Sequence, residues 1–238
     1  RETSAALPQM SLAATGVDEA AARAALTDYY GQQFGTQYTA RNPGQRVSIS
    51  ELVETLPLQT VTAQYTYIAA NPNPLGQKGA LDKASDGSAY SEAHARIHDY
   101  ARRAVQSYGL YDFFLIDAES GYLAYSYFKE LDYATNLRDG PWAKSGLGQA
   151  FALAMSAKNA NDIFITDYAP YRPSYDDQAS FVSAPIMEEG RIVGVFVVQL
   201  PIDRINEIMT FGGRWKNVGL GDSGETYLVG PDKTPRSI

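Results

Sequence analysis

The stretch YDFFLIDAESGYLAYSYF, residues 111–128, decides the fold class. Phe113 to Asp117 is a short apolar run rich in aromatic and branched side chains, which suits a strand. Ala118-Glu119-Ser120-Gly121 has turn composition, and Tyr122 to Phe128 returns as a second strand, so the pair predicts a hairpin. Just upstream the period is different. Ile97, Tyr100, Ala101, Ala104, Val105 and Tyr108 recur at helical spacing, and Gly109 is a natural C-cap.

The helical spacing continues toward residue 1. Thr15 with Asp18 resembles a capping box before Val17, Ala21, Ala24, Ala25 and Tyr29. Ser48 with Glu51 makes a second cap before Leu52, Val53 and Leu56, with Pro57 as an interruption. Val61, Tyr65, Ile68 and Ala69 follow until Asn71-Pro72-Asn73-Pro74, a loop because each proline restricts its predecessor. Downstream of the hairpin, Leu147, Phe151, Ala154 and Met155 predict a short helix. Strands are expected over Ile163 to Tyr168, Phe181 to Met187 and Arg191 to Leu200, the last two joined at Glu188-Glu189-Gly190. Ile202, Ile205, Ile208 and Met209 then start an exit helix. Successive hairpins imply antiparallel pairing, so the fold class is α+β: long N-terminal helices, then an antiparallel sheet with flanking helices. A glycine-rich composition from Thr210 suggests a division into 1–209 and 210–238, with Thr226 to Val229 opening a further strand.

Composition narrows the function. A net charge of -7 with no dense basic cluster argues against a nucleic-acid partner. The absence of cysteine excludes a disulfide framework, thiol catalysis and cysteine-ligated zinc. No run approaches the ~20 apolar residues of a membrane helix, and no charged-then-apolar leader begins at Arg1. Both ends look cut, so the chain is expected to be a piece of a longer protein.

Several motifs have blander readings that win. Gly219 to Gly224 matches a dinucleotide fingerprint in letters, but Thr226 to Val229 after it is strand-like rather than helical, so a glycine-rich turn is expected. His94 and His98, four apart on a helix, could grip a metal, but a surface pair is the better expectation, and neither metal nor cofactor is predicted. Asp167 with Asp176 or Asp177 could serve a carboxylate-dependent hydrolase; solvated loop acids are favoured. The notable excess is tyrosine: 17 Tyr beside 9 Phe and 2 Trp, concentrated where strands meet loops, which suits a ligand pocket.

Over roughly residues 50 to 230 the sequence resembles the double Cache (PDC) sensor domains, the PAS-like extracytoplasmic sensors of bacterial chemoreceptors, histidine kinases and nucleotide cyclases. The carrying segments are Tyr111 to Asp117, Gly140-Pro141-Trp142 with Ser145-Gly146-Leu147, Thr166 to Tyr171, Ser183 to Ile186, Gly194 to Leu200, Pro201 to Asn206 and Gly221 to Val229. The resemblance implies a membrane-distal module that binds a small ligand between sheet and capping loops, does no chemistry, is anchored through segments outside this chain, and dimerises along its N-terminal helix. It implies the periplasmic face of the bacterial inner membrane. Amino-acid-binding members share an Arg-x-Trp-Tyr pattern, then Pro-Tyr-x-Asp, then a last-strand Asp. Here Trp142 and Tyr171 match, whereas Gly140, Ala143, Pro173 and Gln199 depart, so a free amino acid is not the expected ligand.

Strand alternation together with these matches predicts that Tyr125, Tyr127, Arg138, Trp142, Asp167, Tyr171 and Gln199 face one cavity holding an uncharged or anionic polar ligand. A soluble periplasmic solute-binding protein is the alternative; its usual parallel two-lobed sheets disagree with the hairpins.

Overall fold

The computed structural model describes residues 1–222 and 224–237. Its first half is helical: α1 (Glu2–Ala6), α2 (Glu19–Tyr29), α3 (Gly35–Arg41), α4 (Ile49–Thr55), α5 (Leu58–Gln64) and α6 (Ala89–Tyr108). Asp18 caps α2 by accepting from the Ala21 N–H at 2.8 Å. The expected stripe on α2 is rotated by one position: Ala22, Leu26 and Tyr29 are buried. Alanines carry little directional weight, so the larger Leu26 and Tyr29 set which face turns inward. Two π-helical turns, Tyr30–Phe34 and Tyr65–Ala69, extend α2 and α5. Arg23 ties α2 to the end of α4 by donating to the carbonyls of Val53 (2.6 Å) and Leu56 (2.9 Å), acceptors that a helix terminus leaves free.

Helix α6 starts on a Ser88 cap and ends at Gly109, whose φ of 63° is the left-handed conformation glycine adopts without strain. Its inward face corrects the expectation. Tyr100 and Tyr108 are exposed, while His94 and His98 are fully buried beside Tyr90, Ala101 and Val105. The histidines are no surface pair, because the helix turns both rings into the core, where each has an internal hydrogen-bond partner and, among the described residues, His94 Nε2 alone is left without one. His98 Nε2 donates to Gly79 O (2.8 Å), which leaves Nδ1 to accept from the Tyr125 hydroxyl (2.7 Å). His94 Nδ1 donates to Asp82 O at 2.8 Å, and its ring stacks on His98.

The sheet comprises β1 (Asp112–Asp117), β2 (Leu123–Ser126), β3 (Phe164–Ile165), β4 (Ala169–Tyr171), β5 (Asp177–Glu188) and β6 (Arg191–Leu200). Among the described residues every pairing is antiparallel, in the order β2-β1-β6-β5-β3 with β4 also on β5. The fold class is therefore α+β as expected. Of the strand expected over 163–168 only Phe164–Ile165 forms; it ends where Thr166 Oγ1 accepts from the Phe181 N–H, and β4 starts beyond the expected range at Ala169. Between β2 and β3 lies α7 (Gly146–Met155), and after β6 comes α8 (Ile202–Met209).

Alternation along β1 sorts the two faces. Phe113 and Leu115 pack with Tyr125, Tyr127 and Phe196 against Ile97, Ala101 and Val105 of α6. Phe114 and Ile116 pack with Phe181, Val195 and Val197 against Leu147, Phe151 and Ala154 of α7. A third cluster, centred on Leu26, Tyr30, Val61, Tyr67 and Tyr90, joins the N-terminal helices to Leu131, Tyr133 and Tyr175. The helices thus clasp the loop that follows β2: Thr60 donates to Ala134 O, and Gln64 Nε2 to the carbonyls of Leu131 and Tyr133.

No described residue after Val197 joins these clusters, and α8 buries none of its residues. Beyond it the chain forms a 3-10 turn (Trp215–Val218) and one isolated bridge between Val229 and Pro235 in place of the strand expected at Thr226 to Val229. Gly219 and Gly221 both have positive φ, in keeping with a turn. Ser223 and Ile238 of this segment lie outside the described residues. Among the described residues, no helix is long and apolar enough to cross a membrane.

Candidate ligand-binding site

The chemically distinctive place is the end of the sheet where β1 begins and β6 finishes. Asp112 and Gln199 sit opposite each other there, both buried, on the face that carries Phe114 and Val197. Asp112 Oδ1 accepts the N–H groups of Phe113, Tyr127 and Phe128, and Ser126 donates to Oδ2. The chain leaving β2 then turns inward through Lys129, whose φ is 59°. Lys129 donates to Ser126 O and lies 4.4 Å from the Tyr125 ring centroid. Glu130, half-buried, accepts from Tyr111 (2.9 Å) and Ser174 (3.2 Å). Fully buried Asp132 accepts the Tyr171 hydroxyl at 2.5 Å through Oδ2.

Burial dominates the electrostatics. It pushes the Asp132 carboxyl up to about 6, and Glu130 well above the usual carboxylate range, helped by the neighbouring Asp132 and Asp112. Asp112 and Lys129 form a buried pair in which desolvation raises the acid and lowers the amine. Among the described residues, two buried acceptors of this cluster have no hydrogen-bond partner: Asp132 Oδ1 and Gln199 Oε1. Ser174 Oγ donates to Glu130, so it accepts from Gln199 Nε2 (3.0 Å), and this fixes Oε1 as the amide's unpaired end.

Tyr171 also lines an open cleft of about 600 Å³ with Asn42, Gln45, Trp142, Arg172 and Asp176. Trp142 donates its indole N–H to Leu131 O (3.2 Å) and meets the Tyr171 ring edge-on at 6.5 Å. The wall is a strap, residues 171–177, in which Tyr175 and Asp176 are both left-handed, with φ of 63° and 61°. Contacts to the N-terminal helices hold it there. Tyr175 stacks on Phe34 at 4.9 Å, Asn42 donates to Tyr175 O, and Arg41 pairs with Asp177 at 2.6 Å. Tyr29, Tyr30, Phe34, Lys78, Glu130 and Tyr175 line a second, more enclosed cavity of about 20 Å³, room for about one water.

Of the residues expected to share one cavity, Trp142 and Tyr171 line the cleft, whereas Gln199 does not and instead donates to Ser174 of the strap. The others are elsewhere. Tyr125 and Tyr127 are on the opposite sheet face, against His98 of α6, because odd and even residues of β2 part company. Arg138 latches the β1–β2 turn, donating to Ala118 O and lying over Phe151. Asp167 is exposed and paired with Arg236, which holds its carboxyl below the usual range. Asp112, Lys129, Glu130 and Asp132 were missed. Their only signal is a run of charges directly after an aromatic strand, which ordinarily marks a solvated turn. Among the described residues, no group of three or more metal-ligating side chains is placed to hold an ion.

The chain is similar to solved bacterial sensor domains. One is the ligand-binding domain of the Pseudomonas aeruginosa PAO1 amino acid chemoreceptor PctC in complex with GABA, at 16% identity, covering 89% of this chain and 75% of that one, with a TM-score of 0.41. Another is the sensor domain of the V. cholerae histidine kinase DctB, at 16% identity and a TM-score of 0.38; the match takes in 77% of this chain but 58% of that one. A third is the ligand-binding domain of the Pseudomonas fluorescens chemoreceptor CtaA in complex with L-serine, at 16% identity, 91% and 73% coverage and a TM-score of 0.39. No protein-family model and no curated protein matches the chain.

Proposed function

We propose that this chain is the extracytoplasmic ligand-sensing region of a membrane-anchored bacterial signal transducer, a chemoreceptor, histidine kinase or nucleotide cyclase. The observation that carries the reading is the cleft walled by Trp142 and Tyr171, together with two buried acceptors without partners: one on Asp132, which accepts from Tyr171, and one on Gln199, which bonds Ser174 of the strap. Such atoms cost on the order of 1–3 kcal/mol each when left without a donor, and a small polar ligand supplies donors. The site binds rather than turns over: Trp142, Tyr171 and Gln199 hold a metabolite, and no step is assigned to them. Residues 1–209 are the distal module, and 210–238 begin a proximal one.

The strap supplies the route outward. Ligand beneath Tyr171 displaces the 171–177 segment, which Tyr38, Arg41 and Asn42 tie to α3. A preference of the ligand for one strap position then biases the N-terminal helices, and a homodimer along them, as a population shift. In the full-length protein, apolar segments of ~20 residues flank this region and place it on the periplasmic face of the inner membrane.

A thermal-shift screen of the domain against a broad metabolite panel tests the binding reading. A ligand at 100 times its Kd adds about 2.7 kcal/mol, a rise of a few degrees for a chain of this size. The expected result is a stabiliser whose effect disappears in Trp142→Ala. A panel with no stabiliser overturns the reading.

A further inference from the structure

We infer that residues 76–87 form a flap held shut by the rings of His94 and His98, and that protons taken up by those rings release it. Acidity then becomes a second input to the sensor. That use rests on the sensing reading, whereas the release itself does not.

The segment has the form of a hinged piece. Gly76 and Gly87 stand at its ends, both left-handed (φ 77° and 68°), with open space where a Cβ would be. Clefts undercut it on two sides. One of about 400 Å³ lies between Gly79 and Asp82 of the segment and Arg102 and Tyr127; another, of about 520 Å³, separates Leu81 and Asp86 from Tyr65 and Thr66 of the second π-helical turn. Imidazole bridges the gap between them. His98 Nε2 donates to Gly79 O and His94 Nδ1 to Asp82 O, both at 2.8 Å and both from fully buried rings. The other polar ties to α6 are weaker or peripheral: Arg102 with Asp82 and Lys83 with Glu92 at the surface, and Asp86 with Ser91 beside the Gly87 hinge. Lys78, donating to Asn71 O, anchors the end next to Gly76.

Neither ring has a place for a charge while the flap is shut. His98 already uses both nitrogens, since Nδ1 accepts from the Tyr125 hydroxyl, so a proton there displaces that donor. A proton on His94 Nε2 finds no acceptor, because that buried atom is without a partner among the described residues. The rings stack at 4.7 Å, so a charge on one opposes a charge on the other. Their surroundings do not compensate. Lys129, from the loop after β2, opposes a charge on either ring, and Arg102 of α6 opposes one on His98. The Asp82 carboxylate of the flap lies 3.9 Å from His98 Nε2 but is exposed and already paired with Arg102. Asp112 of β1 acts on Lys129 rather than on a ring. The remaining titratable neighbours are phenols, uncharged at acid pH: Tyr67, Tyr90 of α6, Tyr125 of β2 and Tyr127 just after it.

Burial and these cations hold His98 down to about 4 and His94 well below its usual value. With the flap open, water reaches both rings and the ordinary value near 6.5 returns. The open state therefore binds protons that the shut state does not, and opening becomes easier as pH falls below about 6.5.

The test is hydrogen–deuterium exchange of the domain, followed amide by amide at pH 7.5 and pH 5 and corrected for intrinsic rates. The Ala80 and Leu81 amides, hydrogen-bonded within the flap, report its opening, and those of the central strand β6 report global unfolding. Protection at Ala80 and Leu81 is expected to fall at least about ten-fold between the two pH values, since one histidine alone gives about 30-fold. At pH 5 the flap amides should also be clearly less protected than those of β6. A smaller fall overturns the inference, and so does equal protection of flap and β6, which would make the opening global. With His94→Gln and His98→Gln combined, the flap amides are expected to keep the same protection at both pH values. A pH dependence that survives this change overturns the inference. If the double variant does not fold, the comparison of flap with β6 in the unaltered domain decides. All these outcomes leave the sensing reading to the metabolite panel.

Discussion

The Tyr38 hydroxyl donates to Asp176 Oδ2 at 2.6 Å, joining α3 to the strap that walls the ligand cleft. Arg172 holds the same carboxylate from within the strap, with its Nε 2.9 Å from Asp176 Oδ1, and lies 5.0 Å from the Tyr38 ring centroid. A residue in the left-handed region is thereby fixed from two sides.

Tyr38→Phe removes one charge-assisted hydrogen bond from a buried ring, and should lower the unfolding free energy by about 1.5–3 kcal/mol. Asp176→Asn should cost less than Asp176→Val, because asparagine tolerates a positive φ and a β-branched residue does not. Urea denaturation with an unchanged m-value checks both.

Gly140 stands where a carboxylate-binding arginine would be expected, yet a Cβ there would lie 2.3 Å from Asn136 O. Gly140→Arg should therefore destabilise the domain rather than create an anion clamp, and Gly140→Ala should do the same by about 1–3 kcal/mol. Thermal melts of the two variants, with and without succinate, report the outcome. A gain of succinate binding in Gly140→Arg would contradict this account.

The buried histidines set an acid limb. Burial lowers His98 to about 4 and His94 well below its usual value, with Lys129 adding to both effects. The unfolded chain takes up these protons near pH 6.5 and the folded one does not until much lower. The stability they contribute is full above about pH 6.5 and declines as pH falls toward 4. The buried acids Asp112, Glu130 and Asp132 act oppositely, since their raised values cost stability as pH rises past the usual carboxylate range. The difference in unfolding free energy between the unaltered domain and His98→Gln should therefore shrink from pH 7 to pH 4.5. A constant difference would show that His98 is not held neutral.

Trp142 lines the cleft, while Trp215, the other tryptophan, sits in the segment after α8. Ligand binding should change intrinsic fluorescence in Trp215→Phe and leave it unchanged in Trp142→Phe. Emission spectra across a ligand titration distinguish the two.

Alternation in residues 111–128, the Gly109 cap and the turn at 188–190 were enough to give an antiparallel α+β fold, since each acts over a few neighbouring residues. The same local logic failed at α2, where a run of alanines leaves the inward face undetermined, and at His94 and His98, where helical position was legible but partners were not. In the site, Trp142 and Tyr171 were legible as matches to a pattern. Gln199 was placed correctly at the end of the last strand, but as a cavity residue rather than as part of a hydrogen-bonded cluster.

The sequence by itself determined the order and type of most elements, the antiparallel class and two of the cleft aromatics, because period, capping and turn chemistry are properties of adjacent residues. Only the tertiary structure decided which sheet face each tyrosine occupies, and that Asp112, Lys129 and Asp132 are shut away from water. The physical reason is range. Desolvation and unmet hydrogen bonds depend on what lies across the fold: Asp132 owes its environment to Tyr171, a residue 39 positions away, and the strap owes its position to Tyr38, a residue 138 positions from Asp176.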